Sequence, residues 1–296
     1  CANQTNLADC DLFFFDHFAG STTGYYLLAP STQSNQIHSL SAIDSHAVMK
    51  TVHISANRSL TVVRDLSTFV LKDGDQEHPF RVKINYYPSF CQSGQQNSGA
   101  YIFRPAANAI NQSIPYTSLG SAQVFSGKVV SQVSLISDEV IVNMRFEVQQ
   151  SSTPGFDLET FVNSISVADG VGKEIVVIVE SSEINNNQVF YTDSNGLEMQ
   201  ERVLNYRPTW NFTTGQGSSG NYYPITNAIS IQDNTTGLRA TLLTDRSHGA
   251  TSLQNGQLEV MLHRRLICDD GRGVGEPLNE TDWDGQGLRQ WFSNRL

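Results

Sequence analysis

Charge is scarce in this chain, and positive charge is scarcest. Lys, Arg, Asp and Glu make up 16% of its 296 residues, with 19 Lys and Arg against 29 Asp and Glu. The resulting net charge of −10 disfavours nucleic acid and anionic membranes as partners, since both are bound through basic surfaces. Long apolar runs are missing as well. The longest, Ile175-Val176-Val177-Ile178-Val179, falls far short of the ~20 residues that span a bilayer. No G-x-S-x-G, Walker A or C-x-x-C motif occurs, and the 7 histidines (17, 38, 46, 53, 78, 248 and 263) stand without H-x-D or H-E-x-x-H spacing. Asp269 and Asp270 are immediate neighbours, which is not the placement of an acid/base pair flanking a glycosidic bond. The sequence therefore places no metal ligand and no catalytic acid, base or nucleophile here.

Cysteine is sparse too: Cys1, Cys10, Cys91 and Cys268 are all there is. Cys1 and Cys10 flank a short polar loop and read as a disulfide that closes it, worth roughly 2–3 kcal/mol in the chain-entropy model. Cys91 and Cys268 are too distant in sequence for any pairing argument. Polar residues are plentiful, and six asparagines sit in N-x-[ST] sequons: Asn3, Asn57, Asn111, Asn211, Asn234 and Asn279. Six sequons beside a close cysteine pair point to a secretory or lysosomal route. The start at Cys1, without a signal peptide, reads as that of a processed product.

Hydrophobic periodicity is that of strands. Leu258, Val260 and Leu262 alternate with Glu259, Met261 and His263, and Asn255-Gly256 before them reads as a type I′ hairpin turn with φ > 0 at both residues. Asp193-Ser-Asn-Gly196 marks another hairpin, and Lys72-Asp73-Gly74-Asp75 a turn. Residues 80–87 (FRVKINYY) form a strand stopped by Pro88. Residues 124–136 and 139–148 read as two long strands; in the second, Val140, Val142, Met144 and Phe146 share one face. The run 175–179 is apolar on both faces, as in a central strand. Short helices are predicted at 156–163, with Asp157 near the start, and in the tail, where Leu288, Trp291, Phe292 and Leu296 recur at helical spacing. Many strands, frequent turn signals and few helices argue for an all-β, antiparallel, multi-stranded sandwich. Trp210, Tyr222 and Tyr223 are large aromatics expected in its core. The Asp269-Asp270-Gly271-Arg272-Gly273 stretch reads as a turn closed by an Arg–carboxylate bridge, its glycines free to take positive φ.

Five blocks in order resemble one family: residues 190–196 (FYTDSNG), 205–210 (NYRPTW), 220–224 (GNYYP), 242–247 (LLTDRS) and 263–280 (HRRLICDDGRGVGEPLNE). Together with 98–105 (SGAYIFRP) they look like the C-terminal β-domain of class II α-mannosidases, glycoside hydrolase family 38, with the lysosomal acid type most similar. The loop between Cys1 and Cys10 also resembles the small disulfide loop that follows that family's helical bundle. Residues 11–97 resemble it poorly, and the chain stops soon after 273–280 (GVGEPLNE), where the family continues.

The resemblance implies a galactose-mutarotase-like supersandwich within a zinc-dependent, retaining glycosidase that removes α-mannose from glycoprotein oligosaccharides. It implies three segments: 1–96, a disulfide loop and small β region; 97–280, the main β-domain; 281–296, a tail. Zinc and the aspartate nucleophile belong to the family's N-terminal domain, so the cofactor and catalysis are expected on a partner catalytic chain from the same precursor, in a hetero-oligomer of lysosomal, vacuolar or secreted location. By position in the motifs, Tyr101 and Arg272 would reach the substrate at the rim of the site. A phenol and a fixed guanidinium fork suit sugar hydroxyls. The rival reading is a non-catalytic, carbohydrate-binding or structural secreted glycoprotein derived from that fold.

Overall fold

The computed structural model describes residues 40–42, 49–54, 57–63, 67–117, 121–126, 130–147, 155–212, 214–283, 288–289 and 292–295. The loop between Cys1 and Cys10, the sequon at Asn3 and the apolar stretches at 11–18 and 25–28 lie outside them.

After the short β1 (Leu40–Ala42) comes a meander of β2 (Met49–His53), β3 (Arg58–Val63), β4 (Thr68–Asp73) and the long β5 (Gln76–Pro88). Beyond β6 (Ile114–Pro115) a second meander runs through β7 (Ser121–Ser126), β8 (Val130–Ile136), β9 (Val140–Glu147) and β10 (Asp157–Val162). The strand β11 (Lys173–Glu180) then leads to a hairpin of β12 (Val189–Ser194) and β13 (Glu198–Val203). There follow β14 (Tyr223–Ile225), β15 (Ala228–Gln232), β16 (Arg239–Leu243), β17 (His248–Thr251) and β18 (Gln257–Arg265). Three short strands, β19 (Asp282–Trp283), β20 (Leu288–Arg289) and β21 (Phe292–Arg295), close the order.

All pairings are antiparallel. The main sheet runs β14-β17-β18-β11-β5-β4-β3-β2, with β6 beside β5; a second runs β1-β7-β8-β9-β10-β21, and a third β13-β12-β15-β16. Strands before residue 97 and after it thus share the main sheet. Inward residues of all three sheets merge into one apolar core: Leu60, Phe69 and Val82 from the first, Val133, Val142 and Phe146 from the second, and Phe190 and Ile231 from the third. The fold is the all-β sandwich that the alternating pattern implies.

The strand β11 is buried on both faces. Ile175 and Val177 enter the main core, whereas Val176 and Ile178 join a smaller cluster with Tyr87 and Ala109 on the opposite face. Both neighbours, β5 and β18, run antiparallel to β11 and therefore parallel to each other. Lys173 pairs with Pro88 on one side and Arg265 on the other, so β5 and β18 end side by side. The loops that leave them emerge together, over the smaller cluster.

Several local expectations change. Residues 157–162 form a strand, not a helix: Leu158, Thr160 and Val162 are buried alternately against β9, and that period of two outweighs Asp157 as a cap. In the tail, the described residues 288–289 and 292–295 are extended, with Val162 paired to Phe292 and Glu159 to Arg295. The free edge of β10 offers backbone hydrogen bonds that a tail helix would leave unused. The 124–136 stretch is two strands, with Ser126 paired to Ser131. In the turn before β18 only Gly256 has positive φ (+73°), and a Cβ there would sit 2.1 Å from the Ser181 carbonyl oxygen. The paired positive angles of a type I′ turn occur instead at Asn195 (52°) and Gly196 (70°).

Truncating Ile175, fully buried in the middle of the main sheet, should cost about 2–5 kcal/mol in urea unfolding, while Leu197→Ala, 87% exposed, should stay within about 0.5 kcal/mol. Equal effects at the two positions would contradict this placement of the core.

Candidate functional site

The loops leaving β5 and β18 meet over the smaller apolar cluster and, with the 214–221 turns, enclose an open depression of about 1150 Å3. Tyr101 and Arg272 both line it, with Phe103, Tyr222, Tyr223 and His248 among the other walls. Three residues beyond the end of each parent strand, Cys91 and Cys268 are joined in a disulfide with Cα atoms 5.8 Å apart. The pairing that sequence separation left open is set by the side-by-side ends of β5 and β18.

Asp270 ties the loops together a second time. Its Oδ2 accepts the backbone N–H of Tyr101 (2.6 Å) and of Ile102 (2.9 Å), and its Oδ1 accepts that of Arg272 (3.0 Å). Burial works to raise the Asp270 pKa, but the amides of Tyr101, Arg272 and Ile102 and the nearby Arg264 charge outweigh it, and the carboxyl sits below its ordinary value. Gln96 gives a third tie: its side-chain amide donates to the Asp270 carbonyl (2.7 Å), and its Oε1 accepts from the Arg272 guanidinium through Nε (3.0 Å). The expected Arg–carboxylate bridge within the turn is replaced by this amide contact, because the Asp270 carboxylate is taken up by backbone donors. Gly271 (69°) and Gly273 (126°) take the positive φ angles that the turn needs.

Beneath the loops lie two buried carboxyls. Glu174 on β11 pairs with Arg264 (3.0 Å) and lies 2.7 Å from the Ser98 hydroxyl; Arg264 also donates to the Ile102 carbonyl (3.2 Å). Burial pushes the Glu174 pKa up against the pull of Arg264. Glu259 on β18 accepts hydrogen bonds from the phenols of Tyr87 (2.6 Å) and Tyr222, and burial raises its pKa as well. Phe103 and Tyr222 meet edge to face at 5.1 Å, giving the depression an aromatic floor. His248 donates from Nδ1 to the Met261 carbonyl (2.7 Å), and burial lowers its pKa.

The two residues singled out for the rim therefore come together at one cavity, Tyr101 with 67% of its surface exposed. Sequence reasoning passed over Gln96, Glu174 and Glu259: Gln96 lies in a polar loop, and for the two glutamates the only signal was polarity at strand positions. Tyr222 and Tyr223, expected in the core, are half-buried: each packs against an apolar cluster while lining the cavity, the latter beneath Arg202 and Arg207. Trp210 is not core: it is 57% exposed and rests against Phe212. The asparagines of the five described sequons, Asn57, Asn111, Asn211, Asn234 and Asn279, are all exposed. Among the described residues, no three His, Cys, Asp or Glu side chains gather where a metal ion would be held.

Two measurements follow from this geometry. Because the folded state holds the Glu259 proton more firmly than the unfolded chain, stability falls as pH rises above the ordinary glutamate value of 4.5. Thermal unfolding across pH should show the wild type losing ground to Glu259→Gln as neutrality is approached; a constant difference would refute a buried, proton-retaining carboxyl. Replacing Cys91 and Cys268 together by serine should cost about 2–5 kcal/mol in urea unfolding, and no loss would mean that the bond does not form.

Comparison with known proteins agrees with this architecture. Residues 60–272 match the family model described as Glycosyl hydrolases family 38 C-terminal domain. Relatives include the lysosomal α-mannosidases of Bos taurus (42% identity over 207 residues, 68% of this chain and 19% of the relative) and Dictyostelium discoideum (42% over 190 residues, 63% and 18%). That of Homo sapiens is 42% identical over 193 residues, 63% of this chain and 18% of the relative. The chain thus spans about a fifth of the length of these relatives. With the matched region running from the meander before β5 to the turn that carries Arg272, the chain belongs to glycosyl hydrolase family 38, as its C-terminal β-domain.

Proposed function

We propose that this chain is the β-rich segment of a zinc-dependent, retaining α-mannosidase acting on the mannose of glycoprotein oligosaccharides in the lysosome. In this reading it lines one side of a sugar site whose zinc and carboxylate nucleophile belong to a catalytic chain from the same precursor, docked in a hetero-oligomer. The observation that carries the reading is the convergence of Tyr101 and Arg272 on the rim of one aromatic-floored cavity. The relatives' names support the activity and the lysosome. Residues 97–280 hold both rim side chains; 1–96 and 281–296 flank that segment. The five exposed sequon asparagines are proposed glycan acceptors, and so is Asn3.

The chemistry divides accordingly. A retaining glycosidase needs two carboxyl groups about 5–5.5 Å apart across the scissile bond. This chain supplies binding instead. The Tyr101 phenol donates to and accepts from a sugar hydroxyl, and the Arg272 guanidinium, already fixed by Gln96, presents its remaining N–H groups to another.

In the enzyme that contains this chain, Arg272→Ala should lower kcat/KM for an aryl α-mannoside at least about 10-fold, a loss of ~1.4 kcal/mol of transition-state binding, without lowering the unfolding midpoint. Co-purification should yield a second polypeptide segment bearing H-x-D and zinc. Unchanged hydrolysis would remove Arg272 from the rim, and a solitary chain that binds glycans without turnover would favour the non-catalytic reading.

A further inference from the structure

One carboxylate holds both rim residues by their own backbones. Asp270 accepts the amide of Tyr101, 169 residues away in sequence, and the amide of Arg272, two residues on. Its main-chain carbonyl meanwhile accepts from Gln96, whose Oε1 anchors the guanidinium of Arg272. The backbone of Gly99 is pressed so close that an added Cβ would lie 2.5 Å from the Asp270 nitrogen, so the two loops are in van der Waals contact as well. We propose that Asp270, with Gln96 as its second point of attachment, is the positioning residue that sets the Tyr101 phenol and the Arg272 guanidinium at their working separation. This rests on the rim reading of those two side chains.

Geometry separates this role from ordinary turn stabilisation. Asp233 makes the same number of carboxylate contacts, to the amides of Thr235 (2.7 Å), Thr236 (3.0 Å) and Asn185 (3.0 Å), but it does not line or border the cavity. It is a matched control. Asp270→Asn keeps size and shape, yet one of its two acceptors becomes an NH2 group facing a backbone N–H donor. The loops must then part, and a displacement of about 1 Å at a binding group costs up to about 100-fold in rate.

The test uses the complete enzyme and an aryl α-mannoside. Asp270→Asn should cut kcat/KM about 10- to 100-fold, and Asp233→Asn should leave it within about 2-fold although both lower the unfolding midpoint. On an Arg272→Ala background the Asp270→Asn loss should shrink, since the group being positioned is gone. Gln96→Leu should reproduce part of the loss, and Gln96→Glu, which keeps an acceptor for the guanidinium but no longer donates to the Asp270 carbonyl, should recover only the Arg272 share of it. Equal effects of the two aspartate variants, or full additivity with Arg272→Ala, overturns the proposal. If Asp270→Asn does not fold, wild-type kinetics for both Gln96 variants overturns it. Silent Arg272→Ala and Tyr101→Phe variants bring down the rim reading and the proposal with it, whereas an impaired Arg272→Ala beside a silent Asp270→Asn defeats the positioning role alone.

Discussion

The arrangement depends on one strand that must be covered on both faces. Ile175 and Val177 point into the common core of the three sheets, and Val176 and Ile178 point the other way. An antiparallel sheet commonly leaves its second face to water. Here that face carries Val176, Ile178 and Tyr87 beside the buried carboxyls Glu174 and Glu259, so the chain must supply a cover, and it does so from the loops that follow β5 and β18 together with Tyr222. The cavity is the gap left in that cover. Its walls are loops, its floor is aromatic, and its position is decided by which strands flank β11.

Polar chemistry then shapes the cover. Three aspartates, Asp193, Asp233 and Asp270, each collect at least three backbone N–H groups. Loops satisfy few of their own amides, and a carboxylate with four lone-pair sites serves several at once. For Asp193 and Asp270 burial opposes ionisation, but the donors win and the pKa falls. Glu259 is the opposite case: it meets phenols and a hydroxyl, not backbone amides or a cation, and burial prevails. Carboxylates of different character result: backbone donors lower Asp193 and Asp270, whereas the deeper burial of Glu259 raises it.

Much of this was legible in the sequence. The alternation of β9, the doubly apolar run of β11 and the turn glycines were read correctly, because side chains of period two against one core leave a direct trace. The tail and 156–163 were misread as helices. Leu288, Trp291 and Phe292 satisfy a helical spacing, and what decides otherwise is the free edge of β10, a long-range fact invisible in a local window. The same limit explains the site. Tyr101 and Arg272 stood out by likeness to a family, and their convergence needed the parallel relation of β5 and β18. Glu259 looked like the solvent face of a half-buried strand; its burial comes from Tyr87 and Tyr222, remote in sequence. Trp210 shows the converse, an aromatic whose bulk suggested the interior and whose loop keeps it outside.

The disulfide between Cys91 and Cys268 encloses 177 residues' separation of chain, from the end of β5 to the end of β18. Peptide cleavage at any single point inside that span leaves two pieces joined at the mouth of the cavity. In a compartment rich in proteases, a nick in the exposed turns around Asn195 or Thr235 would change the number of polypeptides without releasing either loop. Integrity of the pocket and integrity of the backbone are, in this molecule, separate properties.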